Sequence, residues 1–565
     1  MSRIKKAIEK WERDVRIPFL ERRGGNHTSF RTMSNLEVKP IYTPPDLDGI
    51  DYLHDIGLPG QPPFTRGRTP DGYRSFSWPH DFYAGFGSSE STNKRYRELV
   101  KHGANVITLA LDLPTQLGLD ADDPVAAGEV GKVGVPLPSL SDMERTFQGI
   151  DLFQVGIGNV ANSIGPYALC LVLALAQKRG VDSAYLRHVR LQNDPLKEFS
   201  GRGAYILPVA PAIDLATDVV EYICTRFRDK WHWQWIPQYV CTGQMRSGGV
   251  TAAQEIGFGM AHFLTYIDSA LSRGLAIEDF LPKMELHAEA DIDLLEEVAK
   301  FRAARRLWAS LIKERYKCHD PSVLGLRITT HASVHRQMVQ QPLNNMARIT
   351  LQVLAAILGG AEHIWAPAYD EALSLPTSEA TRIANQVKFI IHYEGGLKNI
   401  IDPLGGSYCI EKLTSQLEEE ARYWLGQIEQ MGGVNAAIKN GFYYSEEVNG
   451  LYQYQKLVES GERKVLGVNL FPQSYEVPKD VFQVNHKEET KQIQRLHKLK
   501  QTRDDRIVRQ RLEELGELAM RKTTDRKLNI IPAMLLAVQA YATVGEIYGV
   551  LREVFGEYKP TVSIY

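Results

Sequence analysis

The sequence predicts an α/β fold, a (β/α)8 (TIM) barrel with an N-terminal arm and a C-terminal helical extension. Three observations predict it. From about residue 80, short β-branched or apolar runs alternate with longer segments of helical apolar periodicity. The runs restart at intervals of roughly 40 to 50 residues, room each time for a strand, a helix and two loops. An open doubly wound sheet, the structural alternative, usually shows a glycine-rich phosphate turn after its first strand, and none is convincing here. Gly156-x-Gly158 lacks the third glycine of that fingerprint and reads as a tight loop.

Residues 1–45 form a basic, polar helix-and-arm segment around Trp11, ended by Tyr42-Thr43-Pro44-Pro45 and suited to packing on another subunit. The barrel occupies residues 46–470. Its candidate strands are Val106–Leu111, Leu152–Ile157, Val189–Gln192, Pro237–Cys241, Pro282–Leu286, Leu324–Thr329 and His363–Pro367. The helices of strongest periodicity are Tyr167–Gln177, Ala210–Phe227, Ala252–Leu271, Leu294–Tyr316 and Asn344–Leu358. Past Gly467-Val468-Asn469 the alternation stops, and residues 471–565 read as the extension. There a charged helix, His486–Arg521, is either a solvated face or a strut. A second helix, Ile530–Tyr541, and a terminal tail follow it.

Composition narrows the function. With 565 residues, 44% of them hydrophobic, the chain can bury a large core. Lys and Arg number 66 against 68 Asp and Glu, so no global field argues for nucleic acid or an anionic membrane, and a bound anion must be held locally. No apolar run long enough to span a bilayer and no signal-like apolar segment after the N-terminus are found, which makes the cytoplasm the default location. Cys170, Cys224, Cys241, Cys318 and Cys409 are scattered without C-x-x-C pairs, so neither a zinc site nor a disulfide framework is expected. His287-x-Glu289 opens like a zinc deaminase but lacks the Pro-Cys-x-x-Cys half. His-Glu-x-x-His, Walker A and Gly-x-Ser-x-Gly patterns are missing too. What remains is polar residues spread over many strand ends, which suits a barrel enzyme whose reactive group is a bound cofactor.

The densest of these is Leu191-Gln192-Asn193-Asp194-Pro195-Leu196-Lys197-Glu198-Phe199, followed by Arg202. Polar groups crowded at the end of an apolar strand are costly unless partners satisfy them, and a polar substrate is one source of partners. A capped strand-to-helix turn is the other reading.

Pro63-Phe64-Thr65-Arg66-Gly67, Tyr83-Ala84-Gly85-Phe86, Asp112-Leu113-Pro114-Thr115, Gln192-Asn193-Asp194 through Arg202, Glu297 through Arg305, Asn344-Asn345, Asp370-Glu371-Ala372 and Gly467-Val468-Asn469 resemble, in order, the large subunit of adenosylcobalamin-dependent acyl-CoA mutases, the methylmalonyl-CoA mutase family. The resemblance covers nearly the whole chain. It implies radical 1,2-migration of a thioester group between a malonyl-CoA and a succinyl-CoA, in which the protein positions the substrate and excludes water. The family's cobalt-ligating Asp-x-His-x-x-Gly motif is not found, which implies a separate cobalamin-binding small subunit in a heterotetramer or related heteromer.

The resemblance also assigns roles. Tyr83 matches the tyrosine beside substrate and adenosyl group, Gln192 a glutamine near the thioester, and Glu371 the glutamate that contacts the ribose. Arg202 matches the arginine that pairs with the free carboxylate of the substrate, a task for which its planar fork is suited. Tyr73, Arg74, Lys283 and Arg327 fall among the acyl-CoA contacts, and Leu111, Leu113 and Gln116 where the family approaches the corrin. Departures cluster on one side. The family's Tyr-His pair at the migrating carbonyl reads Gly243-Gln244, and Gln116 replaces a His. His287 stands for Phe, His331 for Gln, and on the cofactor side His335 stands for Trp and Pro367 for Asn. Loss of the Tyr ring at Gly243 predicts a void that a bulky substituent, benzyl- or aminobenzyl-like, would fill. The alternatives are a methylmalonyl-CoA mutase large subunit proper, or a non-catalytic barrel subunit of a heteromeric mutase.

Overall fold

The computed structural model describes residues 2–23, 30–75, 78–227, 235–473 and 486–560. Part of the expected arm (24–29), the junction before the extension (474–485) and the end of its tail (561–565) lie outside the described residues.

In the arm, β1 (Phe30–Arg31) and β2 (Glu37–Val38) pair antiparallel. The wall that follows is parallel throughout. β3 (Asp81–Ala84), β4 (Val106–Leu109), β5 (Gly156–Asn159), β6 (Val189–Leu191) and β7 (Trp235–Ile236) make a five-stranded sheet in that order. β8 (Gln238–Cys241), β9 (Met284–Ala290), β10 (Arg327–Ala332) and β11 (His363–Trp365) make a four-stranded one. β7 and β8 are one run of chain divided by Pro237, which has no N–H to give to a ladder. At the other seam, between β11 and β3, side chains meet: Trp365 Nε1 donates to Asp81 Oδ2 at 3.1 Å, and His363 Nε2 lies 3.3 Å from the same oxygen.

The helices cover the wall in two apolar clusters. Gly165–Lys178 and Val209–Arg226 pack with β3–β7 and with the extension, through Ile531, Met534, Ile547 and Tyr548. Ala252–Ser272, Leu294–Tyr316, Asn344–Leu358 and Tyr408–Gln430 pack with β8–β11. Leu294–Tyr316 and Asn344–Leu358 have the bounds their periodicity predicts.

Several elements differ from expectation. β3 has no β-branched residue and only Phe82 and Tyr83 favour a strand, so its four residues carry a weak strand signal. Gly156-x-Gly158 lies in a strand, not a tight loop: a Cβ on Gly158 would come within 2.2 Å of Thr108 Oγ1, so glycine is what lets the neighbouring strand's side chain in. β9 and β10 run on past the expected Leu286 and Thr329 into polar residues, His287, Glu289 and His331, that face the barrel interior. The charged helix of the extension is two helices, His486–Thr502 and Asp505–Lys522, because the Asp504 carboxylate accepts from the Arg506 and Ile507 amides and caps the second. A further helix, Val544–Phe555, occupies the expected tail, started by a Thr543/Glu546 capping box. Among the described residues no helix is long and apolar enough to cross a membrane.

Candidate functional site

A cavity of about 670 Å³ opens at the C-terminal ends of the strands. Tyr83, Gln192, Gln244, His287, His331, Pro367 and Glu371, seven of the residues singled out in the sequence, line it together. They come from six separate stretches of chain, the way a barrel assembles a site.

The stretch after β6 divides its work. Asn193 donates to Ala216 O, and Asp194 accepts from the Cys241 amide at 2.7 Å and the Tyr266 hydroxyl at 2.7 Å, so these two brace the strand end. Burial pushes Asp194 up to about 6 despite those bonds. Gln192 and Lys197 instead face the cavity. The Gln192 side-chain amide is buried with no hydrogen-bond partner, a donor left for a ligand. Lys197 is buried too, with its ammonium 3.9 Å from Glu198.

Arg202 ends this segment at the rim. It is not among the cavity-lining residues, but its charge reaches Tyr83, whose hydroxyl is pushed up by burial and pulled back by Arg202. A single nitrogen, Nη1, bonds both Gln116 Oε1 and Glu198 Oε1. That leaves the Nε–Nη2 edge of the fork for another acceptor.

On the opposite wall a chain of imidazoles replaces the apolar surface that usually faces a barrel interior. His287 Nδ1 lies 3.0 Å from Thr329 Oγ1, and its Nε2 lies 3.0 Å from His331 Nδ1. His331 Nε2 is 3.4 Å from Glu289, which also meets His335 Nδ1 at 2.9 Å. Burial raises Glu289, but the His335 and His331 charges and hydrogen bonds outweigh it and hold the carboxylate well below its usual range. His287, buried and beside other cationic groups, is held well below the ordinary imidazole value and is neutral. Gly243 does not open a void as expected. A Cβ there would fall 2.3 Å from His331 Cε1, so the imidazole already fills that space. Gln244 accepts weakly from Cys241 Sγ at 3.5 Å, and burial raises that thiol to about 11, so Cys241 is no nucleophile at neutral pH.

The remaining candidates lie elsewhere. Gln116 is buried and holds Leu111 O at 2.6 Å, with Leu113 starting the same short helix; none of the three lines the cavity. His335 stands behind Glu289. At the N-terminal end of the barrel, Tyr73 and Arg327 line a smaller cavity of about 160 Å³. Exposed Arg74 donates to Asn399 O and Lys283 to Asp279 O. Sequence reasoning missed Lys197 as a site residue, although it sits inside the singled-out stretch, and missed Asp81, Tyr239 and Trp365 on the cavity floor. A strand-end lysine carries a usable signal; the floor residues carry none without knowledge of the register.

The profile of the methylmalonyl-CoA mutase family matches residues 31–557. The large subunit of 2-hydroxyisobutanoyl-CoA mutase from Aquincola tertiaricarbonis is 33% identical over 561 residues, covering 99% of this chain and 98% of that one. Methylmalonyl-CoA mutase of Rhizobium meliloti (strain 1021) is 33% identical over 94% of this chain and 73% of its own length. The mitochondrial methylmalonyl-CoA mutase of Homo sapiens is 32% identical over 94% and 69%.

Proposed function

The chain belongs to the methylmalonyl-CoA mutase family, and from that premise we propose that it is the catalytic large subunit of a carbon-skeleton mutase that interconverts a substituted malonyl-CoA and the corresponding succinyl-CoA. The observation that carries this reading is the gathering of Tyr83, Gln192, Gln244 and Glu371 around one cavity, with Arg202 at its rim. The match to nearly the full length of a relative named as a large subunit supports a separate cobalamin-bearing partner at the open mouth.

Adenosylcobalamin fits this mouth: Tyr83 and Val133, both about half exposed, give it an apolar edge, and Glu371, Pro367 and the Leu111–Gln116 segment stand around it. When bound, it supplies the radical chemistry of the family. The chain's own residues hold and enclose the substrate. Arg202 presents its unused edge to the free carboxylate. The unpartnered Gln192 amide and Gln244 donate to the thioester carbonyl, fixing the group that migrates. Tyr83 covers the reacting carbons. Neutral His287, with His331 hydrogen-bonded beside it, adds a polar edge on the same wall.

The space at Gly243 is filled by His331 and lends a bulky substituent no support; the proposed aromatic substituent rests instead on the cavity of about 670 Å³, where Trp365 and Tyr239 would seat it. The test is reconstitution with a cobalamin-carrying partner and adenosylcobalamin, assayed on benzylmalonyl-CoA, methylmalonyl-CoA and 2-hydroxyisobutanoyl-CoA. The benzyl ester is expected to give the highest kcat/KM. Preference for the hydroxyacyl ester would overturn the carboxylate reading, and preference for methylmalonyl-CoA the bulky one.

A further inference from the structure

Four lysines among the described residues are buried, and three of them hold hydrogen-bond acceptors. Lys300 bonds Glu255 and the Glu289 carbonyl, Lys388 bonds the Pro79 and Ile364 carbonyls, and Lys522 bonds Asp218 and two further carbonyls. Buried Arg190 on β6 is occupied as well. It pairs with Glu285, its Nη1 lies 3.1 Å from His363 Nδ1, and its guanidinium sits 4.7 Å from the Trp365 ring centre and 5.2 Å from that of Tyr239.

Lys197 is the exception. Its exposure is only 2%, yet it lines the large cavity, and its ion-pair contact, Glu198 Oε1 at 3.9 Å, is beyond hydrogen-bond reach. The carboxylates around it are spent on other donors: Glu198 on Arg202 Nη1 and the Ala204 amide, Asp194 on the Cys241 amide and the Tyr266 hydroxyl. A buried charge left without a hydrogen bond is costly. A carbonyl would offer this ammonium one bond and no countercharge, whereas a carboxylate offers both.

Glu198 also fixes where such a carboxylate can go, because its Oε1 touches both cations, Lys197 at 3.9 Å and Arg202 Nη1 at 3.2 Å. Two heads that share one oxygen are close enough to share one substrate carboxylate, Arg202 from the rim with its Nε–Nη2 edge and Lys197 from the cavity wall. Two cations against the single Glu198 carboxylate leave one positive charge in excess, which a monoanion matches.

We propose that Lys197 is the second cation of the substrate-carboxylate site and, with Arg202, selects acyl-CoA esters that carry a free carboxylate. The inference rests on the carboxylate reading above and adds a residue to it. An ester without the carboxylate leaves the ammonium buried and unpaired, so Lys197 works against the wrong ligand as well as for the right one.

Titration calorimetry of the full chain with succinyl-CoA and butyryl-CoA, which differ by a carboxylate in place of a methyl, tests it. Lys197→Met is expected to cut the preference for succinyl-CoA by about 10- to 100-fold, the worth of a charged hydrogen bond. Glu198 keeps its bonds to Arg202 and Ala204 in that variant, and Lys197→Gln, which retains a donor and drops the charge, gives the same reading should the methionine variant not fold. An affinity loss that falls equally on both esters would make Lys197 a support of the fold or of the thioester and overturn the inference. The double variant Lys197→Met/Arg202→Gln is expected to lose less than the product of the two single losses, since two cations on one carboxylate are coupled; full multiplication would put them on separate groups and count against it. If Arg202→Gln removes the preference and Lys197→Met keeps it, the inference falls and the carboxylate reading stands. If the unsubstituted chain binds both esters equally, the carboxylate reading falls and takes the inference with it.

Discussion

The two halves of the barrel wall offer the interior different materials. Along β4 and β5 the interior positions are small, Thr108 and Gly158, and the apolar cluster behind β3–β7 is continuous with the C-terminal extension. From β8 to β11 they are Tyr239, Glu285, His287, Glu289, Arg327, His331, His363 and Trp365, nearly all large and able to form hydrogen bonds. β4 and β5 are a shaped backing; the functional groups come from β8–β11 and, in the first half, only from β3 and the end of β6, with Tyr83 and Gln192. The lesson is that in such a barrel the chemistry need not be spread evenly, and a strand rich in charge, such as Met284–Ala290, is fully buried because it faces partners and not water.

The sharpest way to break this contrast is to unbalance the polar half. Arg190→Met is expected to cost about 3–5 kcal/mol, because it leaves Glu285 buried and unpaired. Adding Glu285→Leu to it should restore most of that, with denaturant midpoints as the measurement. If the double variant is no better than the single, the pair is not the source of the cost.

Arg202→Gln, at the junction of the halves, is expected to lower kcat/KM for the dicarboxylic substrate by about 10- to 100-fold, the worth of a charged hydrogen bond of ~1.5–3 kcal/mol. A panel of acyl-CoA esters checks it, since esters lacking the carboxylate should lose little.

Glycines test the two materials separately. Gly158→Ala drives a methyl into Thr108 Oγ1 in the tightly packed half and is expected to cost about 1–3 kcal/mol in stability. Gly243→Ala meets first the His331 ring, a side chain that can shift, so it should cost less stability, under about 1 kcal/mol, and more turnover. Thermal melts beside steady-state kinetics separate the two.

A pH series probes Asp194, which ties the halves together through the Cys241 amide. Its folded value of about 6 lies above the unfolded one of about 3.9. The neutral carboxyl is therefore the form the fold favours, and stability from this group is full below pH 4 and lost as pH rises through 6. The total is about 2–3 kcal/mol. Asp194→Asn should remove that slope, read as the denaturation midpoint between pH 4.5 and 7.5. Smallest of all, Arg74→Ala at the exposed N-terminal end should change KM for the acyl-CoA less than about 2-fold, in line with other surface changes.

Sequence and structure agree best where apolar periodicity is long, as in Leu294–Tyr316. They part at the strands, whose ends are set by register. Met284–Ala290 carries Glu285, His287 and Glu289 on the face that looks inward, which period-2 alternation alone would assign to solvent. The same blindness hid the floor: Trp365 and Tyr239 look like ordinary core aromatics until Arg190 is found between them. Conversely, Gln192 and Arg202 stood out because polar side chains crowded after an apolar strand have few bland explanations, while Lys197 in the same stretch was passed over. The filling of the Gly243 space by His331 was illegible, since it joins residues on different strands.

The break at Pro237 and the side-chain seam between β11 and β3 have a mechanical meaning. They lie on opposite sides of the wall and divide it into two half-shells, which could rock like the valves of a clam without breaking one ladder hydrogen bond. What pins the valves is a set of buried side-chain pairings, for Arg190 reaches from one shell to Glu285 and His363 in the other, and Trp365 reaches back to Asp81. These ties between the shells are thereby the part that decides how far the mouth can gape.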